Sequence, residues 1–123
     1  MEINHITQQI LDSAYKIHTA LGPGLLESAY QACLVFELKN KGLKVEVEKA
    51  LPLIYEEVKL ECGYRIDILV EDKVVIELKT VEALNDVHTA QVLTYLKLSG
   101  CKVGLLLNFH TKSLKNGIKR LIL

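Results

Sequence analysis

Residues 64–79 read Tyr-Arg-Ile-Asp-Ile-Leu-Val-Glu-Asp-Lys-Val-Val-Ile-Glu-Leu-Lys, and they consist of two apolar runs separated by a short charged segment. Runs rich in Val, Ile and Leu that are bounded by charged residues predict β-strands, which we expect over 58–70 and 74–80. Each run is interrupted by one acid, Asp67 in the first and Glu77 in the second. Because ionised side chains are costly to bury unless they are paired or hold a metal, these two acids are the first candidates for a functional site.

The length of the loop between these strands decides whether the two acids meet. A two-residue turn would place the carboxylates on opposite faces of the sheet. A three-residue loop over 71–73 would place Asp67 directly across from Glu77, with their Cβ atoms about 4.5–5.5 Å apart. Two carboxylates at that distance need a cation, a shared proton or Lys79 as a partner. We predict the three-residue loop or an equivalent bulge.

Upstream of this strand pair, the sequence first shows a helical period and then an alternating one. Apolar residues at three- and four-residue steps predict a helix over 3–21, which Gly22-Pro23-Gly24 ends, and a second helix over 25–41. Alternation predicts strand residues at 44–48 and 53–55, with Pro52 at an edge or a bulge.

Downstream, a third helix capped by Asn85 or Asp86 ends at Gly100, and 102–109 predicts a strand buried on both faces. In the C-terminal tail, 110–123, residues 114–123 predict a short strand or helix. The core over 22–109 has the order α-β-β-β-α-β, an α/β fold with a mixed sheet flanked by helices, and 1–21 adds an N-terminal helix. We expect 1–123 to form one domain.

Charge is balanced in total but not along the chain. Residues 1–86 hold nine bases and all fifteen acids, a net charge of −6, whereas 87–123 hold six bases and no acid, a net charge of +6. This asymmetry predicts that an anionic ligand such as nucleic acid contacts the C-terminal third. The six bases are Lys97, Lys102, Lys112, Lys115, Lys119 and Arg120.

Two other protein classes are disfavoured. No apolar run approaches the roughly 20 residues of a membrane span, and the N-terminus lacks a signal pattern, so we expect a cytoplasmic protein that does not bind a membrane. Cys33, Cys62 and Cys101 form no CxxC pair, so we expect neither a disulfide framework nor a zinc or iron–sulfur site.

The helices carry further polar pairs. Glu27 and Tyr30 share one face of the second helix, although the helix dipole alone favours a Glu in the first turn. Gln91 and Tyr95 share one face of the third helix, with His88 one turn earlier. Taken in isolation, Gln91, Tyr95 and His88 are explained better as the polar edge of a packed helix.

Together these residues resemble the GxxExxY proteins of the PD-(D/E)XK nuclease superfamily. The matching segments are Gly24 to Tyr30, Tyr64 to Asp67, Val75 to Lys79, Gln91 to Leu96, and 107–109. The resemblance implies a restriction-endonuclease-like αβββαβ core and metal-dependent cleavage of phosphodiesters. One departure is Ile66, which stands where the superfamily nominally has proline.

The resemblance also implies a role for each acid and for the lysine. Asp67 and Glu77 would bind the metal together with the backbone carbonyl of Leu78. Glu27 would approach the same metal or its water from the helix. Lys79 would orient or activate the attacking water. An all-oxygen site with two or three carboxylates suits Mg²⁺ or Mn²⁺.

The remaining matching residues would support this site. Gln91 and Tyr95 would form the QxxxY element, which supports the site and contacts the nucleic-acid backbone. We expect Tyr30 to bind nucleic acid or to support the site, and His88 to lie at the edge of the site.

The function expected from the sequence is therefore a metal-dependent nuclease that acts on nucleic acid, with DNA as the expected substrate. The sequence leaves the oligomeric state open, and a homodimer is one alternative, because so small a nuclease often needs a second subunit to span a duplex. One alternative is a catalytically silent nuclease-fold module that binds nucleic acid or another protein. The other is that the acids and lysines form a buried structural salt-bridge network.

Overall fold

Three helices and a five-stranded sheet make up the regular structure of residues 1–123, all of which the computed structural model describes. The helices are α1 (Ile3–Leu21), α2 (Glu27–Asn40) and α3 (Asp86–Ser99). The strands are β1 (Val45–Tyr55), β2 (Val58–Val70), β3 (Val74–Lys79), β4 (Val103–Asn108) and β5 (Ile118–Ile122). None of the helices combines the length and the apolar composition that crossing a membrane requires.

The strands lie in the sheet in chain order, β1-β2-β3-β4-β5. The first three are antiparallel neighbours, β4 runs parallel to β3, and β5 runs antiparallel to β4. The helix α3 connects the two parallel strands, as a crossover must. The predicted α/β fold with an αβββαβ order and a mixed sheet is therefore confirmed. The C-terminal tail contributes a 3₁₀ turn (Leu114–Gly117) and then the fifth strand of the sheet.

Helices cover both faces of the sheet. On one face, α1 and α2 pack on the sheet through residues such as Ile10 and Leu34. On the other face, α3 packs through Val92 and Leu96. At Gly104 of β4 an added Cβ would lie 2.7 Å from Val92 Cγ1, so α3 approaches this strand closely because glycine is there. Every residue of β4 is buried, as its apolar run predicted.

The connection between β2 and β3 has the predicted odd length. Val70 pairs with Val74, which leaves 71–73 as a three-residue loop. Glu71 and Asp72 adopt left-handed backbone conformations, with φ of 53° and 56°. The observed pairing runs to Ile68 and Ile76. One residue further, the same register brings Asp67 alongside Glu77, which confirms the prediction from strand parity.

The hairpin of β1 and β2 extends beyond the rest of the sheet. The two strands have 11 and 13 residues, against six in β3, and they meet at a turn formed by Glu56 and Glu57. β1 is an edge strand of the sheet, and its register shifts between Leu51 and Leu53, so the edge or bulge predicted at Pro52 is confirmed. The two separate strand pieces expected over 44–55 are instead one strand, because β2 pairs with it on both sides of the bulge.

Candidate functional site at the carboxyl end of β3

One hydrogen bond joins Asp67 to Glu77, and a second joins Asp67 to Leu78, the residue after Glu77. The Asp67 N–H donates to Glu77 Oε1 at 3.0 Å, and the Leu78 N–H donates to Asp67 Oδ2 at 2.9 Å. Regular pairing between β2 and β3 extends only as far as the Ile68–Ile76 pair. Beyond that pair, the two carboxylates accept hydrogen bonds from the backbone, and this holds both side chains between the strands.

A local irregularity in β2 helps to orient Asp67. Ile66 packs in the α3 layer, whereas Ile68 packs in the layer of α1 and α2. Residues two apart in a regular strand point to the same face, so β2 changes face at Asp67. On the neighbouring strand, Glu48 adopts a φ of 53°, and no Glu48–Asp67 pair occurs between the Val47–Ile68 and Lys49–Ile66 pairs. The sheet is therefore distorted where the acids meet.

Burial and mutual repulsion make the charged form of these acids costly. Glu77 is only 3% exposed. Its burial, followed by the charge of Asp67, raises its pKa from 4.5 to about 8. Burial also raises the pKa of Asp67, although the hydrogen bond from Leu78 opposes the shift. A proton or a cation between the two carboxylates relieves this cost, as expected for an acid pair this close.

Lys79 is the positive charge of the site. Its charge lowers the pKa values of Glu27, Asp67 and Glu77 against the larger raising effects on each. Its Nζ donates to Gln91 Oε1 at 3.3 Å. The same amide donates through Nε2 to Tyr95 Oη at 3.1 Å. A line of hydrogen bonds thus runs from β3 to α3 and holds the lysine near the acids.

Glu27 reaches the site from the other layer. It is the first residue of α2 and is partly buried. Burial raises its pKa, and the charge of Asp67 adds to the shift. The α2 terminus therefore lies within electrostatic range of the acid pair, although Glu27, Asp67 and Glu77 do not form a metal-binding cluster.

Tyr30 is a structural support and does not face solvent. The residue is completely buried, and its ring stacks on Phe109 with centroids 4.5 Å apart. Its hydroxyl accepts a hydrogen bond from the Leu25 N–H at 3.0 Å and donates to the Gly22 carbonyl. These bonds fix the segment that leads into α2, and therefore the position of Glu27. A direct contact with nucleic acid is excluded for Tyr30 by its burial, and only its supporting role agrees with the structure.

Glu48 is an acid of this region that the sequence did not single out. Its charge raises the pKa values of both Glu27 and Asp67. Its Oε1 accepts a hydrogen bond from Gln31 Nε2 at 3.1 Å, which links β1 to α2. In the sequence, Glu48 belongs to an ordinary alternating strand, and only the pairing of β1 with β2 brings it opposite Asp67.

The oxygen atoms at the site have the chemistry of a hard divalent cation site. The N–H and C=O of one strand residue project towards the same neighbour, so the Leu78 carbonyl lies on the Asp67 side with its N–H. The next carbonyl, that of Lys79, instead accepts from the Phe109 N–H at 2.9 Å. Two carboxylates and a backbone carbonyl are ligands that Mg²⁺ accepts while it retains several waters. No three His, Cys, Asp or Glu side chains in the structure converge closely enough to form a complete metal cage.

The six C-terminal bases do not lie together on one surface, because three of them lie away from the acids. Lys102 precedes β4 and is at the amino end of the parallel strands, opposite to Lys79. Lys97 lies six residues beyond Gln91, about 9 Å further along α3. Arg120 donates to Asn4 Oδ1 and Thr7 Oγ1 on α1.

The other three bases share the end of the sheet where Lys79 lies. Lys112 and Lys115 belong to the connection that leaves the carboxyl end of β4. Lys119 Nζ donates to Thr89 Oγ1, on the first turn of α3, at 2.9 Å. The positive charge available to a ligand at this end is therefore about half of what the sequence suggested.

His88 has a structural role at the start of α3. Its Nδ1 accepts a hydrogen bond from the Asn85 N–H, and the Asn85 side chain accepts one from the His88 N–H. This reciprocal capping box stabilises the helix terminus. A role for His88 at the edge of the site stays a prediction.

Comparison with known proteins adds one finding. The family model of the PD-(D/E)XK nuclease superfamily matches residues 4–121, which is nearly the whole chain. Its restriction-endonuclease-like fold is consistent with the three helices and the mixed five-stranded sheet. Searches of curated proteins and of solved structures found no match.

Proposed function

The chain belongs to the PD-(D/E)XK nuclease superfamily, and from this premise we propose that it is a metal-dependent nuclease that hydrolyses phosphodiester bonds of nucleic acid, with DNA as its substrate. The observation that carries the proposal is the hydrogen-bonded pair of Asp67 and Glu77 beside Lys79. A cation bound between the two carboxylates offsets the free-energy cost of keeping this buried acid pair ionised.

Asp67, Glu77 and the Leu78 carbonyl would hold a divalent cation, Mg²⁺ or Mn²⁺. Glu27 would contact the cation or one of its waters from the α2 terminus. When bound, the ion supplies positive charge at the scissile phosphate and acidifies a water molecule. Carboxylate and carbonyl oxygens are the ligands that a hard cation such as Mg²⁺ prefers, and this supports a hard cation over zinc.

Lys79 would position the attacking water and offset charge that develops on the phosphate in the transition state. Its ammonium group is held by the Gln91 amide, which Tyr95 holds in turn. A fixed donor loses less free energy to reorganisation during the reaction than a mobile one. Lys112, Lys115 and Lys119 would contact phosphates away from the reacting one.

Within the superfamily we assign the chain to the GxxExxY proteins. The segment Gly24 to Tyr30 carries the motif, and the structure offers a reason for its spacing. Glu27 begins α2, while Tyr30 on the first turn binds back to the preceding segment through Gly22 and Leu25. The tyrosine thereby supports the glutamate three residues earlier.

A catalytically silent module that binds nucleic acid or protein is the second candidate. It is favoured by the lack of a complete cage of three acidic, histidine or cysteine side chains. It is also favoured by the raised pKa of Glu77, about 8, which lets the pair retain a proton in place of a cation. This candidate predicts binding without hydrolysis.

A cleavage assay with Mg²⁺, Mn²⁺ and Ca²⁺ on single-stranded, double-stranded and branched DNA and on RNA tests the nuclease. Glu77→Gln and Lys79→Ala should abolish cleavage while circular dichroism shows an unchanged fold. Lys59→Ala is the matched control, because Lys59 ends another Glu-x-Lys sequence, on the exposed hairpin. Full activity in both site variants would overturn the assigned site, and binding without cleavage under every metal would favour the silent module.

A further inference from the structure

A cavity of about 500 Å³ opens next to Lys79, between β2 and α3. Its volume lies within the range of sites that bind small organic groups. Lys79 forms part of its wall, so a group in the cavity would be adjacent to a phosphate at the proposed site. None of the roles described so far uses this space.

The two tyrosines of the cavity are held in a defined arrangement. The rings of Tyr64 and Tyr95 meet edge to face, with centroids 6.3 Å apart. Tyr95 is 4% exposed, and its hydroxyl accepts the hydrogen bond from Gln91. Tyr64 is 40% exposed, so part of a positioned aromatic ring remains free to stack on a ligand.

The polar groups of the cavity suit an anionic or neutral ligand. No acid lines it, although Asp67 and Glu77 lie close by. His88 contributes a ring whose Nδ1 already accepts a hydrogen bond from the Asn85 N–H, so its Nε2 carries the proton and can donate. Thr94 adds a hydroxyl group. The cavity thus combines an aromatic face with hydrogen-bonding groups and a lysine.

We propose that this cavity receives one unpaired nucleobase of the substrate, stacked on Tyr64, beside the phosphodiester that faces Lys79. The proposal rests on the proposed nuclease function and deepens it by naming the substrate class. A base within a duplex is paired and stacked, and bringing it into the cavity requires its extrusion. The preferred substrate is therefore single-stranded nucleic acid or the unpaired end of a duplex. Since every base has an aromatic face, little sequence preference is expected.

The test is a binding measurement without divalent cation, so that it does not depend on cleavage. The probes are short DNA and RNA oligonucleotides that carry one 2-aminopurine, whose fluorescence falls on stacking, each as a single strand and as a duplex. Tyr64→Ala should weaken binding of the single strand about tenfold and abolish the fluorescence change. Tyr64→Phe should retain both. Tyr55→Ala is the matched control, because Tyr55 is an exposed tyrosine on the same hairpin.

A cleavage measurement in Mg²⁺ locates the base. An abasic nucleotide placed at successive positions should suppress the cut next to it in the wild type, and Tyr64→Ala should respond little to that nucleotide. Equal binding by wild type and Tyr64→Ala, or duplex bound as tightly as single strand, would overturn the proposal. The DNA and RNA arms show which sugar the site accepts.

The two proposals fail in different ways. Cleavage that depends on Glu77 but is unchanged in Tyr64→Ala and at abasic positions would overturn the base site and leave the nuclease intact. Stacking that depends on Tyr64, with no cleavage under any metal, would overturn the nuclease and leave a cavity that binds single strands.

Discussion

Glu77 accepts a hydrogen bond from the backbone N–H of the very residue whose side chain raises its pKa. The Asp67 N–H stabilises the Glu77 carboxylate at 3.0 Å, while burial and the Asp67 charge destabilise it. The two destabilising effects are larger, so the pKa of Glu77 rises to about 8. In the absence of a cation, ionisation of the pair therefore lowers the free energy of unfolding, and both pH and metal ions can change the size of this effect.

The first prediction concerns stability in EDTA. Because the folded protein holds the Glu77 proton more tightly than the unfolded chain does, the free energy of unfolding falls as pH rises between 4.5 and about 8. Glu77→Gln removes this loss and retains an acceptor for the Asp67 N–H. We expect equal Tm values for variant and wild type near pH 4.5, and a Tm several degrees higher for the variant above pH 8. A variant that is less stable than wild type above pH 8 would contradict the assigned cause.

The second prediction concerns metal binding. Mg²⁺ or Mn²⁺ at millimolar concentration should raise the Tm of the wild type, and more at pH 8 than at pH 5, because the carboxyls must lose their protons to bind the ion. Asp67→Asn should abolish the shift. Asp72→Asn is the control, since Asp72 lies on the exposed loop 71–73, where it pairs with Lys44. Calorimetry in two buffers of different ionisation enthalpy measures the proton release, and binding without any release would count against the acid pair as the site.

The third prediction concerns Lys79. Lys79→Ala should reduce kcat on the order of 10²- to 10⁴-fold, the usual effect of losing a group that positions or activates the reacting water. Gln91→Leu should reduce kcat less, because the lysine remains but its ammonium group loses its fixed partner. Single-turnover kinetics with saturating enzyme separates these effects from binding. An unchanged kcat in Lys79→Ala, with activity still dependent on Glu77, would remove the lysine from the mechanism.

The fourth prediction concerns Tyr30. Tyr30→Phe leaves the Leu25 N–H and the Gly22 carbonyl without this partner, and we expect a loss of about 1–2 kcal/mol in the free energy of unfolding. Cleavage should also fall, because the start of α2 and Glu27 lose their support. Tyr15→Phe, on the exposed side of α1, should change neither quantity. Denaturant unfolding and a cleavage assay at a temperature where both variants are folded distinguish the two effects.

The fifth prediction concerns Glu48. Its charge raises the pKa values of Glu27 and Asp67, so Glu48→Gln should lower both and let metal bind at lower pH. The pH at which metal-dependent stabilisation is half complete should therefore decrease. Glu46→Gln, two residues earlier on β1, is the control and should leave that pH unchanged. A midpoint that rises in Glu48→Gln would mean that Glu48 itself binds the metal.

Much of the fold could be predicted because the relevant information is local. The three-residue loop between β2 and β3 and the alternation of the strands were enough to bring Asp67 beside Glu77, since strand parity leaves two outcomes only. The bulge at Pro52 and the glycine that ends α3 also follow from single residues with restricted backbones. These features depend on neighbours in the chain.

The sequence by itself determined the α/β order and the residues that match the nuclease superfamily, and it limited the register of β2 and β3 to two outcomes. Only the tertiary structure decided that Glu48 lies near Asp67, that Tyr30 is buried next to the start of α2, and that three of the six C-terminal bases lie away from the acids. Each of these depends on which element packs against which, and contacts between distant segments leave no periodic trace in the chain. Charge counted along a sequence therefore indicates how much charge is available. Where that charge lies depends on the position of each base along its strand or helix and on the elements packed against it.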